Sequence, residues 1–220
     1  MKLEITTLRL LDGLAADLSG LRPAHIPQDG WLRTVRRALA IPAQEAAKVG
    51  DPKTTDAAIR QFERTESDGT IELRNLALTA HRIGCQLVYD LVVQDPATLQ
   101  RINEITQSGK PPNPDTKQYP TPPEYLKQSG MPLGGYLKAN RRALKMSLAD
   151  VAAKIGVSRQ AVRAFERSEA IGAIQLKNLR RIAQAMGCGI VYFLKVRPDV
   201  AKGFVHLSEV LWNKPADNKP

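Results

Sequence analysis

The chain has 220 residues, 43% of them hydrophobic and 25% charged, a balance that excludes wholesale disorder and leaves room for one or two modest cores. Its 32 Lys and Arg against 22 Asp and Glu give a formal charge of +10. That excess favours a polyanionic partner, nucleic acid first, although a membrane surface or an acidic protein would also satisfy it. The opening MKLEITTLRLLDG carries Glu4, Arg9 and Asp12 inside its apolar run, so it reads as neither a secretory signal nor a membrane span, and a cytoplasmic protein with no membrane partner is expected. Two cysteines, Cys85 and Cys188, are too few for a disulfide scaffold or a zinc site, and no metal or cofactor is expected.

The first predicted element, within residues 1–24, is an amphipathic helix with Leu8, Leu11, Leu14, Leu18 and Leu21 on one stripe. A unit spanning 25–107 follows, and its residues 30–93 run parallel to residues 135–196 further along. The chain therefore reads as two copies of one unit. Between them, SGKPPNPDTKQYPTPPE at 108–124 holds six prolines and reads as a semi-rigid linker. The second copy lies in 125–220. Amphipathic segments trail both copies: DPATLQRINEIT after the first, and after the second a stretch with Val200, Phe204, Leu207 and Leu211 on one face.

Local signals are clearest in the second copy. A helix over about 136–145 buries Leu137 and Leu144; Ser147 and Asp150 form a capping pair that opens a second helix with Leu148, Val151, Ala152 and Ile155 inward; Gly156 ends it. Ser158 caps a third helix, in which Val162 and Phe165 face inward and Arg159, Gln160 and Arg163 outward. A fourth helix over about 175–186 carries Leu176, Leu179, Ala183 and Met186 and stops at Gly187. CGIVYFLKV then reads as a strand, as does CQLVYDLVV in the first copy.

Two short helices joined by a glycine turn, the second capped and polar outside, make a helix-turn-helix. The major groove of duplex DNA admits one helix, whose first turns meet the base edges. The preceding helix with Arg141, the Ser-capped second helix and the Phe165-Glu166 pair resemble the Xre/Cro-like family of DNA-binding domains. The strings GWLRTVRRAL, ESDGTIEL and GCQLVYDLV are similar to the Xre-type regulators called mobile mystery protein A, usually encoded beside a Fic-domain protein. These relatives generally carry one such unit, whereas this chain carries two. The resemblance implies a mainly α fold of two tandem five-element Xre-type domains, each ending in a short strand and flanked by amphipathic helices. It implies a double-stranded DNA operator, repression of the protein's own operon and an antitoxin-like role beside a cognate toxin. It also implies that Arg141 with Glu166, and Arg36 with Glu63, form a structural ion pair in each copy. The Ser or Thr, three residues, Glu and Gly or Asn pattern of Fic inhibition is absent, so inhibition by that route is not expected.

Charge separates the copies. Residues 135–197 hold thirteen Lys and Arg against three Asp and Glu, while residues 30–93 hold nine against eight. Where the second copy has Ser158, Arg159, Gln160 and Ala161, the first has Thr55, Asp56, Ala57 and Ala58, and Asp56 would face phosphates. The first copy also shows about three extra residues near Asp51-Pro52-Lys53 and Pro42 in place of Ser147. The second copy is therefore the expected reader. Arg159, Gln160, Arg163 and Ala164 are assigned to bases, with Arg suited to guanine and Gln to adenine. Ser147, Lys154, Ser158, Arg167 and Lys177 are assigned to phosphates. A plain solvated helix face is the alternative for these charges.

The equivalent pairs Trp31 and Tyr136, and Tyr89 and Tyr192, are expected to pack the core or strands, and both cysteines to be buried fillers. His25, His81 and His206 are scattered with no nucleophile or ligand cluster at recognisable spacing, so no enzyme is expected. The two strands can pair within one chain or across a dimer. A homodimer on a pseudo-palindrome, with half-sites about 34 Å apart or a multiple of that, is the expected assembly. A protein-interaction module that neutralises a toxin is the contrasting reading. A general RNA-binding factor is disfavoured because few aromatic groups are available for stacking.

Overall fold

A computed structural model of the chain describes residues 27–50, 52–94, 96, 97, 100, 126 and 134–197. The expected leading helix, the Pro-rich linker and the C-terminal helix, with His25 and His206, lie outside the described residues, as does most of the helix expected after the first unit. Four helices followed by a strand occur twice: α1 (Gly30–Ala38), α2 (Ala43–Lys48), α3 (Asp56–Ser67), α4 (Leu73–Arg82) and β1 (Cys85–Val93), then α5 (Tyr136–Ala143), α6 (Leu148–Ile155), α7 (Arg159–Ala170), α8 (Leu176–Ala185) and β2 (Cys188–Val196). The described fold is mainly helical with one two-stranded sheet.

The first helix of each unit ends the same way. The N–H groups of Ala40 and Ile41 donate to the carbonyls of Arg37 and Arg36, and those of Lys145 and Met146 to Arg142 and Arg141, the paired bonds of a Schellman stop. Ala40 and Lys145 take left-handed φ values of 53° and 50° to make it, a conformation that costs a side-chain-bearing residue roughly 1–2 kcal/mol. That both units accept this cost at equivalent positions marks a shared backbone plan. The arginine at the stop also binds it. Arg36 Nη1 donates to the Ile41 carbonyl at 2.9 Å and Arg141 Nη1 to the Met146 carbonyl at 3.0 Å.

The connection between the second and third helices differs. In the later unit Ser147 and Asp150 form a full capping box, α6 runs eight residues, and Gly156 closes it in the left-handed conformation at φ +69°. In the earlier unit Pro42 precedes α2 with no side-chain cap, and α2 has only six residues. The insertion is two residues and not about three. Arg36 and its partner Glu63 are 27 positions apart, against 25 for Arg141 and Glu166. Arg82 pins the longer turn by donating to the carbonyls of Val49 and Pro52. Arg181 donates to the Ile155 carbonyl at the shorter turn.

β1 and β2 pair antiparallel within the chain, so of the two strand arrangements the intramolecular one is observed. Tyr89, fifth of nine residues in β1, lies directly opposite Tyr192, fifth of nine in β2. A second contact between equivalent positions is the bridge Glu72 to Gln175, flanked by Leu73 N–H to Ile174 carbonyl at 2.9 Å and Leu176 N–H to Ile71 carbonyl at 3.0 Å. Arg74 N–H to Gly172 and Lys177 N–H to Gly69, both 2.8 Å, extend the same symmetric pattern. A pseudo-twofold axis therefore passes through the Tyr89–Tyr192 pair and the Glu72–Gln175 bridge. One hydrophobic core runs across both units, from Leu32, Ile59 and Leu76 to Leu137, Val162, Leu179 and Leu194.

Candidate nucleic-acid interface

The residues assigned to bases lie on α7. Ser158 accepts a hydrogen bond from the Ala161 N–H at 3.1 Å and starts the helix beside the Gly156 turn. Val162, Glu166, Glu169 and Ala170 are buried, which leaves Arg159, Gln160, Arg163, Ala164 and Arg167 exposed on the opposite face. The structure thus brings all four residues assigned to bases, and Arg167, onto one side of one helix. Among the described residues no carboxylate pairs with Arg159, Arg163 or Arg167. Ser147 and Lys154 are exposed on the adjoining α6. The Ser147 and Ser158 oxygens accept from backbone N–H groups, and each hydroxyl retains its own proton to donate to an anion.

Lys177 is exposed in the first turn of α8, beside Gly69 of the earlier unit. The Thr70 hydroxyl and N–H, and then the Lys177 charge, hold the Asp68 carboxyl below its ordinary value. Lys177 therefore lies at the junction between the units.

The matching helix of the earlier unit has a similar frame and a different surface. Thr55 caps α3 through the Ala58 N–H at 3.1 Å. Asp56 is paired with Arg60 one turn later at 3.3 Å, Ala57 replaces Gln160, and Arg60, Gln61 and Arg64 are exposed. The carboxylate offsets the guanidinium that stands where Arg163 stands in α7.

Both ion pairs implied by the resemblance form. Arg36 Nε lies 2.5 Å from Glu63, and Arg141 Nε 2.6 Å from Glu166, with both carboxylates buried. Each fastens the first helix of its unit to the third, so α3 and α7 are each held from their buried side.

A second pair of buried carboxylates was not singled out in the sequence. Glu169 Oε1 and Oε2 accept from the Tyr136 and Leu137 N–H groups at 2.9 Å each, and Tyr89 of the other unit donates its hydroxyl at 3.3 Å. Glu66 repeats this with the Trp31 and Leu32 N–H groups at 2.8 Å each and the Tyr192 hydroxyl at 3.1 Å. Each carboxylate therefore satisfies the open start of a first helix and receives a tyrosine from across the pseudo-twofold. Burial pushes the Glu66 carboxyl up to about 7 and the Glu169 carboxyl up to about 8, outweighing the donors that pull them down. Glycine is required beside them. A Cβ on Gly30 would sit 2.7 Å from Glu66 Oε2, and one on Gly135 2.5 Å from Glu169 Oε2, with φ at +78° and +88°. The signal available in sequence was the repetition of Glu three positions after each ion-pair Glu, in ERTE and ERSE.

Tyr89 and Tyr192 thus pack as expected and also bridge the units; Tyr89 further meets Tyr136 edge-on at 5.1 Å. Cys85 and Cys188 are buried free thiols, and burial pushes Cys85 up to about 12. Among the described residues no group of three or more His, Cys, Asp and Glu is placed to hold a metal ion. No helix among them is long and apolar enough to cross a membrane.

Residues 137–193, 57 of the 220, match the helix-turn-helix family model. That stretch, from α5 to β2, is similar to an Xre-like helix-turn-helix domain. No curated protein and no solved structure matches the chain.

Proposed function

We propose that the protein is a sequence-specific, double-stranded DNA-binding transcriptional regulator that represses its own operon and serves as the antitoxin-like component of a toxin–antitoxin pair. The observation that carries the DNA reading is the cationic face of α7, which no carboxylate opposes among the described residues, with Arg159, Gln160 and Arg163 exposed and Arg167 one turn further on. Arg159 and Gln160 stand in the first turn, where a major-groove helix meets base edges, and the exposed Ser147, Lys154 and Ser158 are suited to phosphates. Lys177, exposed at the unit junction, stays in the phosphate set. This reading is of a binder without catalytic chemistry. It is tested by gel shift against the upstream region of the protein's own operon: Arg159→Ala with Gln160→Ala should lose the shifted band while the thermal unfolding midpoint stays in place. Equal binding by that variant and the parent would refute it.

The second reading is a module that neutralises a toxin enzyme, with DNA binding secondary. It is favoured by the earlier unit, which preserves both buried carboxylate systems yet offsets Arg60 with Asp56. Co-purification of the operon's neighbouring product with the Arg159→Ala, Gln160→Ala variant would support it.

A further inference from the structure

Given that α7 reads DNA, the remaining question is what lies under the rest of the molecule when it does. Two-fold related readers normally come from two identical chains, each supplying one recognition helix to one half of a palindrome. Here the equivalent residues Tyr89 and Tyr192 face each other in one sheet, and Glu72 and Gln175 in one bridge, all within a single chain. Glu66 at the end of α3 and Glu169 at the end of α7 each receive the tyrosine of the other unit. The C-terminal ends of the two reading-position helices therefore sit at the pseudo-twofold, and their twelve-residue bodies carry the N-terminal turns outward by about 18 Å each. The arrangement presents α3 and α7 as a homodimer would present two copies of one helix.

The two helices are chemically unequal. α7 offers Arg159, Gln160, Arg163 and Arg167 without opposing carboxylates among the described residues. α3 offers Asp56, Ala57, Arg60, Gln61 and Arg64, with Asp56 bound to Arg60. A carboxylate and an alanine in the first turn give no bidentate donor to a purine, whereas Arg60 and Arg64 remain suited to backbone phosphates.

We propose that one chain alone occupies one operator, and that this operator is asymmetric: a half-site read through its bases by α7, joined to a second half held through its phosphates by α3. The target class is thus a non-palindromic duplex. The inference depends on the α7 reading above and goes beyond it in stoichiometry and in the form of the site.

The test begins with duplexes recovered from a random-sequence library by the full-length chain. Sedimentation of the complex should give one chain per duplex, and the recovered consensus should fill one half only. Base changes in that half should weaken binding by about 100-fold or more, while base changes in the other half should cost less than about 3-fold. Removing the second half of the duplex altogether should cost about 10-fold, and Arg60→Ala with Arg64→Ala should erase that difference and reduce the slope of log K against log salt by about 2. A palindromic consensus, two chains per duplex, or indifference to trimming the second half would overturn this proposal and leave the α7 reading intact. Failure to enrich any sequence, or equal binding by the Arg159→Ala variant, would overturn both.

Discussion

The two units share a skeleton and differ on their surfaces. Each has a helix stopped by a left-handed non-glycine residue, an arginine that ties this stop to a buried glutamate on the third helix, and a second buried glutamate that caps the first helix and takes a tyrosine from across the axis. The later unit adds an open cationic face and a capped, glycine-closed turn. The earlier one has an offset charge, an uncapped short helix and a longer turn pinned by Arg82. The comparison teaches that the shared features hold each unit together and join it to the other, while the differing ones are those that would face a duplex.

The comparison is broken most severely by attacking what is common. Gly135→Ala should destabilise the chain by about 4 kcal/mol, because the new methyl combines a left-handed backbone with displacement of a buried carboxylate. Gly30→Ala should cost nearly as much, as read by urea unfolding. Markedly unequal losses would show that the earlier unit does not depend on its carboxylate cap.

Acidity should act next most strongly, and on both units. With folded values of about 7 and about 8 against an ordinary 4.5, Glu66 and Glu169 keep protons in the folded chain that the unfolded chain has already released. The stability associated with these protons is fully present below pH 4.5 and is lost as pH rises through 7 and then 8, about 3 kcal/mol for Glu66 and about 5 kcal/mol for Glu169. Urea midpoints should fall between pH 5 and 8.5, and Glu169→Gln should flatten the upper part of the profile. A midpoint that rises across that range would mean both groups stay ionised when buried.

A sharper separation comes from the surfaces. Arg159→Ala with Gln160→Ala should reduce operator affinity by roughly 100-fold at fixed salt, without changing the urea midpoint. The matching double change in the earlier unit, Asp56→Ala with Ala57→Gln, should instead raise affinity a few-fold by releasing Arg60. Titration by fluorescence anisotropy reads both.

Smaller still is the contact across the axis. Tyr192→Phe and Tyr89→Phe should each cost about 1–2 kcal/mol, since each removes one hydrogen bond to a buried carboxyl. Each should also raise the proton affinity of the glutamate it served. The smallest expected effect is at the cap: Ser147→Ala should cost about 1 kcal/mol, whereas Pro42→Ala in the earlier unit should be nearly silent because no cap bond is lost there.

Much of the later unit was legible because its signals are local. Ser147 with Asp150, Gly156 and Ser158 each govern one turn of chain, and the structure places its helices within a residue or two of the expected ones. The exposure of Arg159, Gln160 and Arg163 followed from the burial period of α7 alone. The nonlocal features were harder to read. Whether β1 finds β2 in its own chain is decided by contacts about a hundred positions apart, and period-2 patterning is the same for either partner. Glu66 and Glu169 were missed because a glutamate inside a helix ordinarily reads as solvated; only the glycine 36 or 34 positions before it in the chain, at Gly30 and Gly135, makes room for its carboxylate beneath another helix. The location of Lys177 was hidden for a related reason. Its charge fits a phosphate, but its position depends on the bridge between Glu72 and Gln175, which no local pattern announces.

The sheet closing on its own chain also fixes how occupancy would depend on dose. Where two readers must first meet in solution, filling of a site at low concentration climbs with the square of the amount present. With β1 and β2 tethered in one polypeptide, that encounter is intramolecular and insensitive to dilution. Site filling would then rise with a Hill slope of one, giving a graded response instead of a threshold.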